Sequence, residues 1–325
     1  MANSPPLLNF EQMLANLKRR SDWQQLPDIR VAMWPGQVSF SDDLSDKHLF
    51  NDRYLESRVS VGKMAFVLYL VCGAFLATFI PVGISIISAA VRGKSAIEII
   101  SDDWIIALFS VLMFCLGYAL SRITPSCVRF NRQAQVVHIY GGPNKATTAP
   151  WRDVYPFTEF SASADGKFSL NLVFRTGPTD LAMASGAFDI GDESALVDNL
   201  TRLEFLRRYM AEGLSAVQPD PQRTLHKPSG FTKAVNFKDD GLIDFLLARL
   251  VVMPGYYLAG GPLIDRYLIR RAASAQWPDE VERLCAPGAD LSGYDTTPVE
   301  ARKDIYHRFN GHGFDLVNLR GEVVG

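Results

Sequence analysis

Four cysteines in 325 residues, at unrelated spacings, give no disulfide framework. No Cys-x-x-Cys or Cys/His spacing is present that would hold zinc, so no metal or cofactor is expected. The signatures of the common catalytic classes are missing too: there is no GxSxG, HExxH, P-loop or GxGxxG. Residues 1–60 lack an apolar h-region, which argues against a cleaved signal peptide. Neither sign of charge dominates, since 33 Lys/Arg balance 35 Asp/Glu to leave a net −2. No enzyme activity and no nucleic-acid partner are expected.

What the chain does contain is apolar sequence gathered into two blocks. Met64 to Val91 carries no charged side chain, and neither does Trp104 to Ser121. A helix rising 1.5 Å per residue crosses a hydrocarbon core of roughly 30 Å in about 20 residues. The first run exceeds that length; the second approaches it, and Ile97, Ile99 and Ile100 could extend it. Core helices of a soluble domain normally keep a polar face, which Met64 to Val91 lacks beyond scattered Ser, Thr and Tyr. The reading is a transmembrane hairpin over 61–122, with spans at about 64–90 and 104–121.

Orientation follows the Lys/Arg bias of short flanks. Arg53, Arg58 and Lys63 precede the first run, and Arg122, Arg129 and Arg132 follow the second. Between them stand only Arg92 and Lys94, with Glu98, Asp102 and Asp103. Both termini are therefore expected in the cytoplasm of a multi-pass inner-membrane protein. No Asp, Glu, Lys, Arg or His lies inside either run, which disfavours an ion pathway. Gly73, Ala74, Ala77 and Thr78 form small-xxx-small pairs that allow close helix approach. Their partner is either the second span, through Ala107, Ser110 or Gly117, or a second copy of the protein. Pro81 and Gly83 could kink the span. Cys72 and Cys115 lie within the runs as small apolar residues, while Cys127 and Cys285 are expected to stay reduced in the cytosol.

Before the hairpin, residues 1–60 hold a short amphipathic helix and a β-hairpin. Phe10, Met13, Leu14 and Leu17 fall at helical spacing ahead of Lys18, Arg19 and Arg20, suiting either a domain surface or an anionic leaflet. Ile29 to Trp34 and Gln37 to Phe40 flank the turn dipeptide Pro35-Gly36.

Residues 127–214 alternate with period two. Cys127–Phe130 and Val136–Tyr140 read as strands around a turn at Asn131–Gln135, and Gly141-Gly142-Pro143-Asn144 turns the chain again. An extended run follows from Thr147 to Val154, then alternation over Phe157–Ser163 and Phe168–Arg175 around Asp165-Gly166. Gly177-Pro178 turns into a short strand at Asp180–Ala184. A helix comes next, with Asp192 as N-cap and Glu193 in its first turn. Its stripe is Leu196, Leu200, Leu203, Leu206 or Arg207, Met210 and Leu214, and Gly213 is placed to end it. An antiparallel meander closed by one helix resembles the pleckstrin-homology-like domains of bacterial membrane proteins. That likeness implies a core aromatic at Trp151 within Pro150-Trp151-Arg152-Asp153-Val154.

Residues 215–230 carry Pro219, Pro221 and Pro228 and read as a linker. A C-terminal helical region follows over 231–297. Within it, Leu242 to Ile264 is apolar but interrupted by Asp244, Arg249, Pro254-Gly255 and Gly260-Gly261-Pro262. Spanning the bilayer there would cost roughly 2.5–3.5 kcal/mol for each charge at the membrane centre. A broken, surface-lying or protein-packed helical hairpin is expected instead of a third span. Tyr256, Tyr257, Arg266, Arg270 and Arg271 form a basic–aromatic cluster suited to phospholipid headgroups or to the solvated end of a helix. His307 and His312, near Asp304 and Asp315, are the one cluster with acid–base potential, but their spacing matches no known motif. Residues 298–325 read as a polar tail, loosely ordered.

The order of parts, with Val128-Arg129-Phe130-Asn131-Arg132, Pro150-Trp151-Arg152-Asp153-Val154 and Trp277-Pro278-Asp279-Glu280-Val281 before Cys285, resembles the bacterial membrane-protein family catalogued as domain of unknown function 6708. The similarity covers most of residues 30–290. Members tend to be encoded near type VI secretion spike and effector genes. The resemblance implies an immunity protein that binds a secreted toxin, or else an accessory protein that holds an effector before secretion. A membrane-associated regulator that reads lipid or a partner chain is the remaining class. The family has no agreed catalytic residues, so none is carried over. The fold class expected is membrane α+β: a two-helix hairpin, a cytosolic antiparallel meander closed by a helix, and a C-terminal helical region.

Overall fold

The computed structural model describes residues 9–40, 44–58, 62–92, 104–122, 127–161, 167–176, 181–185, 196–218, 246, 249–250, 253–311 and 313–324. The expected N-cap at Asp192, the turns at 165–166 and 177–178, the acidic loop 93–103 and His312 lie outside the described residues. In chain order the elements are α1 (Phe10–Arg19), β1 (Trp23–Gln25), β2 (Val31–Met33), β3 (Tyr54–Arg58), α2 (Gly62–Val91) and α3 (Trp104–Ser121). Next come β4 (Cys127–Asn131), β5 (Val136–Gly142), β6 (Lys145–Pro150), β7 (Val154–Ser161), β8 (Lys167–Arg175), β9 (Leu181–Ser185) and α4 (Leu196–Glu212). The chain ends with α5 (Met253–Leu258), α6 (Gly261–Ala273), α7 (Asp279–Cys285), β10 (Arg302–Phe309) and β11 (Phe314–Asn318). The protein is thus mixed α and β, with largely antiparallel sheets and two long apolar helices. It divides into two compact units.

The first unit comprises Met1–Val59, Pro125–Pro228 and Ala275–Gly325. Its sheets run β3-β4-β5-β6, β1-β7-β8-β9 and β11-β10-β2. Alternation works as expected on β8: Leu170, Leu172 and Phe174 enter the main core, while Val173 faces the other way, toward Phe10, Leu14 and Trp23. α1 therefore packs on the domain. Its N-terminus is closed by a capping box, in which Asn9 accepts from the Gln12 amide at 2.8 Å and Gln12 accepts from the Asn9 amide at 3.3 Å.

The extended run through Pro150 turns a corner. Trp151–Asp153 is one 3₁₀ turn between β6 and β7, and Trp151 lies fully buried there, edge-on to Phe130 with centroids 6.0 Å apart. α4 covers this core with Leu200, Leu203, Leu206 and Met210. It ends at Gly213, whose φ of 97 only glycine adopts without strain.

Two N-terminal and C-terminal expectations need correction. Pro35-Gly36 does turn the chain, with the Gln37 amide on Trp34 O at 3.2 Å, but the run after it does not pair with β2. β2 instead runs parallel to β10, and the Gln37 side chain exchanges two 2.9 Å hydrogen bonds with the Phe309 backbone. Residues 298–325 are consequently not a loose tail, since β10 and β11 form an antiparallel pair there. Phe309 and Phe314 pack against the main core and Val317 is buried, while β10 also takes the distant β2 as a partner; the polar composition of the segment masks both.

The second unit comprises Ser60–Thr124 and Ser229–Ser274. α2 and α3 are antiparallel neighbours. Gly117 faces Val71, Phe114 faces Phe75 with centroids 5.8 Å apart, and Ser110 meets Thr78 at 2.7 Å. Both helices are long and apolar enough to cross a membrane. α5 and α6 are separate short helices, broken at Gly260 with φ 74. Much of 242–252 lies outside the described residues.

Candidate functional site

The best-developed side-chain cluster in the first unit grows from β4. Period-two alternation sends Val128 and Phe130 into the core and leaves Arg129 and Asn131 on the opposite face. Glu56 is the cross-strand partner of Arg129 on β3, and its Oε2 accepts from Arg129 Nε at 3.0 Å and Nη2 at 2.7 Å. Arg129 Nη1 donates to Glu282 of α7 at 3.1 Å. The guanidinium stands over the rings of Tyr54 at 4.5 Å and Trp277 at 4.9 Å. Arg129 and Glu56 are only 4% and 1% exposed, whereas Glu282 is 53% exposed.

Beside this pair, Asn131 Nδ2 donates to Leu284 O at 3.0 Å and contacts Cys285 Sγ at 3.4 Å. Gln133 Nε2 reaches Leu284 O and Ala286 O. His138 Nδ1 lies 2.8 Å from Thr148 Oγ1, with Nε2 3.5 Å from Asn131 Nδ2. The network assigns a neutral imidazole that donates through Nδ1.

Electrostatics agree. Burial first, and the Arg129 charge second, hold His138 down at about 3. Burial pushes the Cys285 thiol up to about 11, against the opposing pull of Arg129. Burial also opposes the Arg129 charge, but Glu56 outweighs it and the guanidinium's pKa is raised. The thiol is therefore protonated, the imidazole neutral and the buried carboxylate occupied. This arrangement clamps α7 to the sheet; its groups are not poised as nucleophile or base.

Glu204 forms a second buried knot, binding Arg207 at 2.7 Å and Arg208 at 2.7 Å and accepting from the Met33 amide at 3.3 Å. The sequence cluster near the C-terminus is dispersed. Asp304 binds Arg302, Asp315 binds Arg308 and Asn310, and His307 is half-buried in β10. Among the described residues no group of three His, Cys, Asp or Glu side chains could hold a metal ion.

In the second unit, Tyr256 is buried while Tyr257, Arg266 and Arg270 are exposed and Arg271 is half-buried. The hydroxyls of Tyr69 and Tyr256 both donate to Asp265, and the two rings meet edge to face at 5.2 Å. No Asp, Glu, Lys, Arg or His interrupts the apolar runs, yet α6 brings a carboxylate against α2. Of the small residues singled out for helix approach, Gly117 faces Val71 of α2 and Gly73 faces Ala259, just past the end of α5. Ala74 O accepts from Thr78 at 3.0 Å, and Ala77 is exposed.

Comparison with the curated proteins and with the solved structures gives no match. The profile of the Family of unknown function (DUF6708) matches residues 105–288, more than half of the chain. That stretch contains Arg129, Asn131, His138, Trp277, Glu282 and Cys285, so all of the clamp but its β3 partners Glu56 and Tyr54 falls inside it. By that match the chain belongs to the family of unknown function DUF6708.

Proposed function

We propose that this protein is an inner-membrane-anchored binding protein that neutralises a type VI secretion toxin by direct contact. The carrying observation is the apolar surface of the two long helices. Leu70, Phe79, Ile84 and Ile87 of α2, and Ile105, Val111, Leu112 and Phe114 of α3, all stand exposed. In water such a surface is far larger than a soluble monomer tolerates; a bilayer removes the penalty.

Strand pairing supports a hairpin in particular. Arg58 at the end of β3 pairs with Cys127 at the start of β4, so the inserted segment leaves and returns at neighbouring points. An even number of crossings fits that geometry, and the basic flanks favour the cytoplasmic side for both ends. The sheet-building unit then faces the cytosol. Its order, β3 to β6, then β7 to β9, then α4, supports the pleckstrin-like reading with the hairpin inserted between the first two strands. The link to toxin neutralisation rests on the chain's resemblance to a family whose members tend to be encoded near type VI secretion spike and effector genes.

The test has two arms. Carbonate-washed membranes should retain the chain, and a C-terminal reporter should remain cytoplasmic. The toxin encoded beside the gene should then be expressed with and without this protein. Rescue of growth by this protein alone is the expected result. Altered secretion without rescue would instead assign it as an effector accessory protein.

A further inference from the structure

Within the second unit, α2, α3 and α6 enclose a groove of about 340 Å³, at the small end of ligand-sized cavities. Its walls are almost wholly carbon: Val71 and Phe75 from α2, Phe114 and Gly117 from α3, Leu263 and Ile264 from α6. Tyr118, Ser121 and Tyr267 line it at the C-terminal end of α3. Two guanidiniums sit at that end. Arg122 lies over the Tyr118 ring at 4.9 Å and donates to its hydroxyl at 2.7 Å. Arg271 Nη2 donates to Arg122 O at 2.6 Å, and Tyr267 donates to Ser121 O at 3.1 Å.

Neither arginine has a carboxylate partner among the described residues, and Arg271 Nη1 is buried with no hydrogen-bond partner. The acid on the same helix, Asp265, is occupied by Tyr69 and Tyr256. An apolar slot ending in two uncompensated cations is the complement of one molecule with a long hydrocarbon chain and an anionic head.

We infer that this groove binds a single anionic phospholipid, its acyl chain against Phe75 and Phe114 and its phosphate on Arg122 and Arg271. The inference rests on the membrane-anchor reading, because only there does the end of α3 meet a layer of headgroup phosphates. A buried apolar peptide would satisfy the walls but leave both guanidinium charges uncompensated. A phosphate balances them and takes charge-assisted hydrogen bonds from the accessible edge of Arg122 and of the half-buried Arg271.

The experiment uses the full chain reconstituted in mixed phosphatidylcholine and phosphatidylglycerol nanodiscs, then released into the gas phase for native mass spectrometry. One retained phosphatidylglycerol per chain is expected, in preference to phosphatidylcholine. Arg122→Gln with Arg271→Gln should lower its retention about tenfold. Cys72→Phe, which fills the groove, should lower retention of either lipid; Arg320→Gln should change nothing. Retention of the two lipids in proportion to the mixture, or of none, would overturn the inference using the wild-type chain alone, whether or not the variants fold. Unchanged retention in the double arginine variant would overturn it too. A chain stripped from membranes by carbonate would refute the anchor itself, whereas a carbonate-resistant chain without bound lipid refutes only the lipid site.

Discussion

Arg58 and Cys127 face each other across adjacent antiparallel strands, although both long apolar helices lie between them in the chain. The first unit's core is built only from its own segments, from Leu26 and Leu55 to Phe314. It should therefore stand without the second unit. A chain with 59–126 replaced by Asn-Gly and 229–274 by a Gly/Ser linker is expected to remain monodisperse in water. Size-exclusion chromatography and far-ultraviolet circular dichroism check this; aggregation would show that the sheets depend on the insert.

The Arg129–Glu56 pair predicts an asymmetry between breaking and replacing it. Arg129→Gln leaves a buried carboxylate without its cation and should destabilise the fold by about 3–5 kcal/mol. Arg129→Met combined with Glu56→Leu should recover most of that loss. Glu282→Gln should cost less than about 1 kcal/mol, because that carboxylate is half exposed and solvent screens it. Urea melts of the four proteins give the comparison.

His138 predicts a pH dependence with a definite sign. Its folded pKa is depressed to about 3, so between that value and the ordinary histidine value of about 6.5 the unfolded chain binds the extra proton. Stability therefore rises with pH across that window and falls on acidification. From pH 7 to pH 5 the contribution lost is on the order of 2 kcal/mol. His138→Gln should show a correspondingly shallower decline in melting temperature over the same range.

Two glycines of the long helices should answer differently to the same change. A Cβ at Gly117 would stand 3.3 Å from Val71 Cγ1, whereas one at Gly83 meets nothing within 4 Å. Gly117→Leu is expected to force the helices apart and cost about 1–3 kcal/mol, while Gly83→Leu should be tolerated. Thermal stability in detergent, followed by fluorescence-detected chromatography, separates the two.

Local signals were legible wherever a segment carries its own pattern. The β4–β5 turn, the alternation of Leu170, Leu172 and Phe174, the stop at Gly213 and the two long helices all follow from residues near one another in sequence. Partners far apart in the chain were not legible. β3 looks unremarkable until Arg129 is seen opposite Glu56, and β2 needs β10, which arrives near the C-terminus. The clamp shows why the short motifs matter together: Arg129 and Asn131 of the first meet Trp277, Glu282 and Cys285 of the last. Asp265 has no local signature, because its phenol donors come from two other helices, Tyr69 of α2 and Tyr256 of α5.

The placement of α2 and α3 between paired strands also dictates an order of events during synthesis. The ribosome delivers β3 long before the strand that completes it, so the nascent sheet is left open-edged until residue 127 has emerged. Any delay in lodging the two helices prolongs the life of that unpaired edge. The early segment is thus a substrate for chaperones and proteases, and the level of finished protein in a cell should track how quickly the helices find their place.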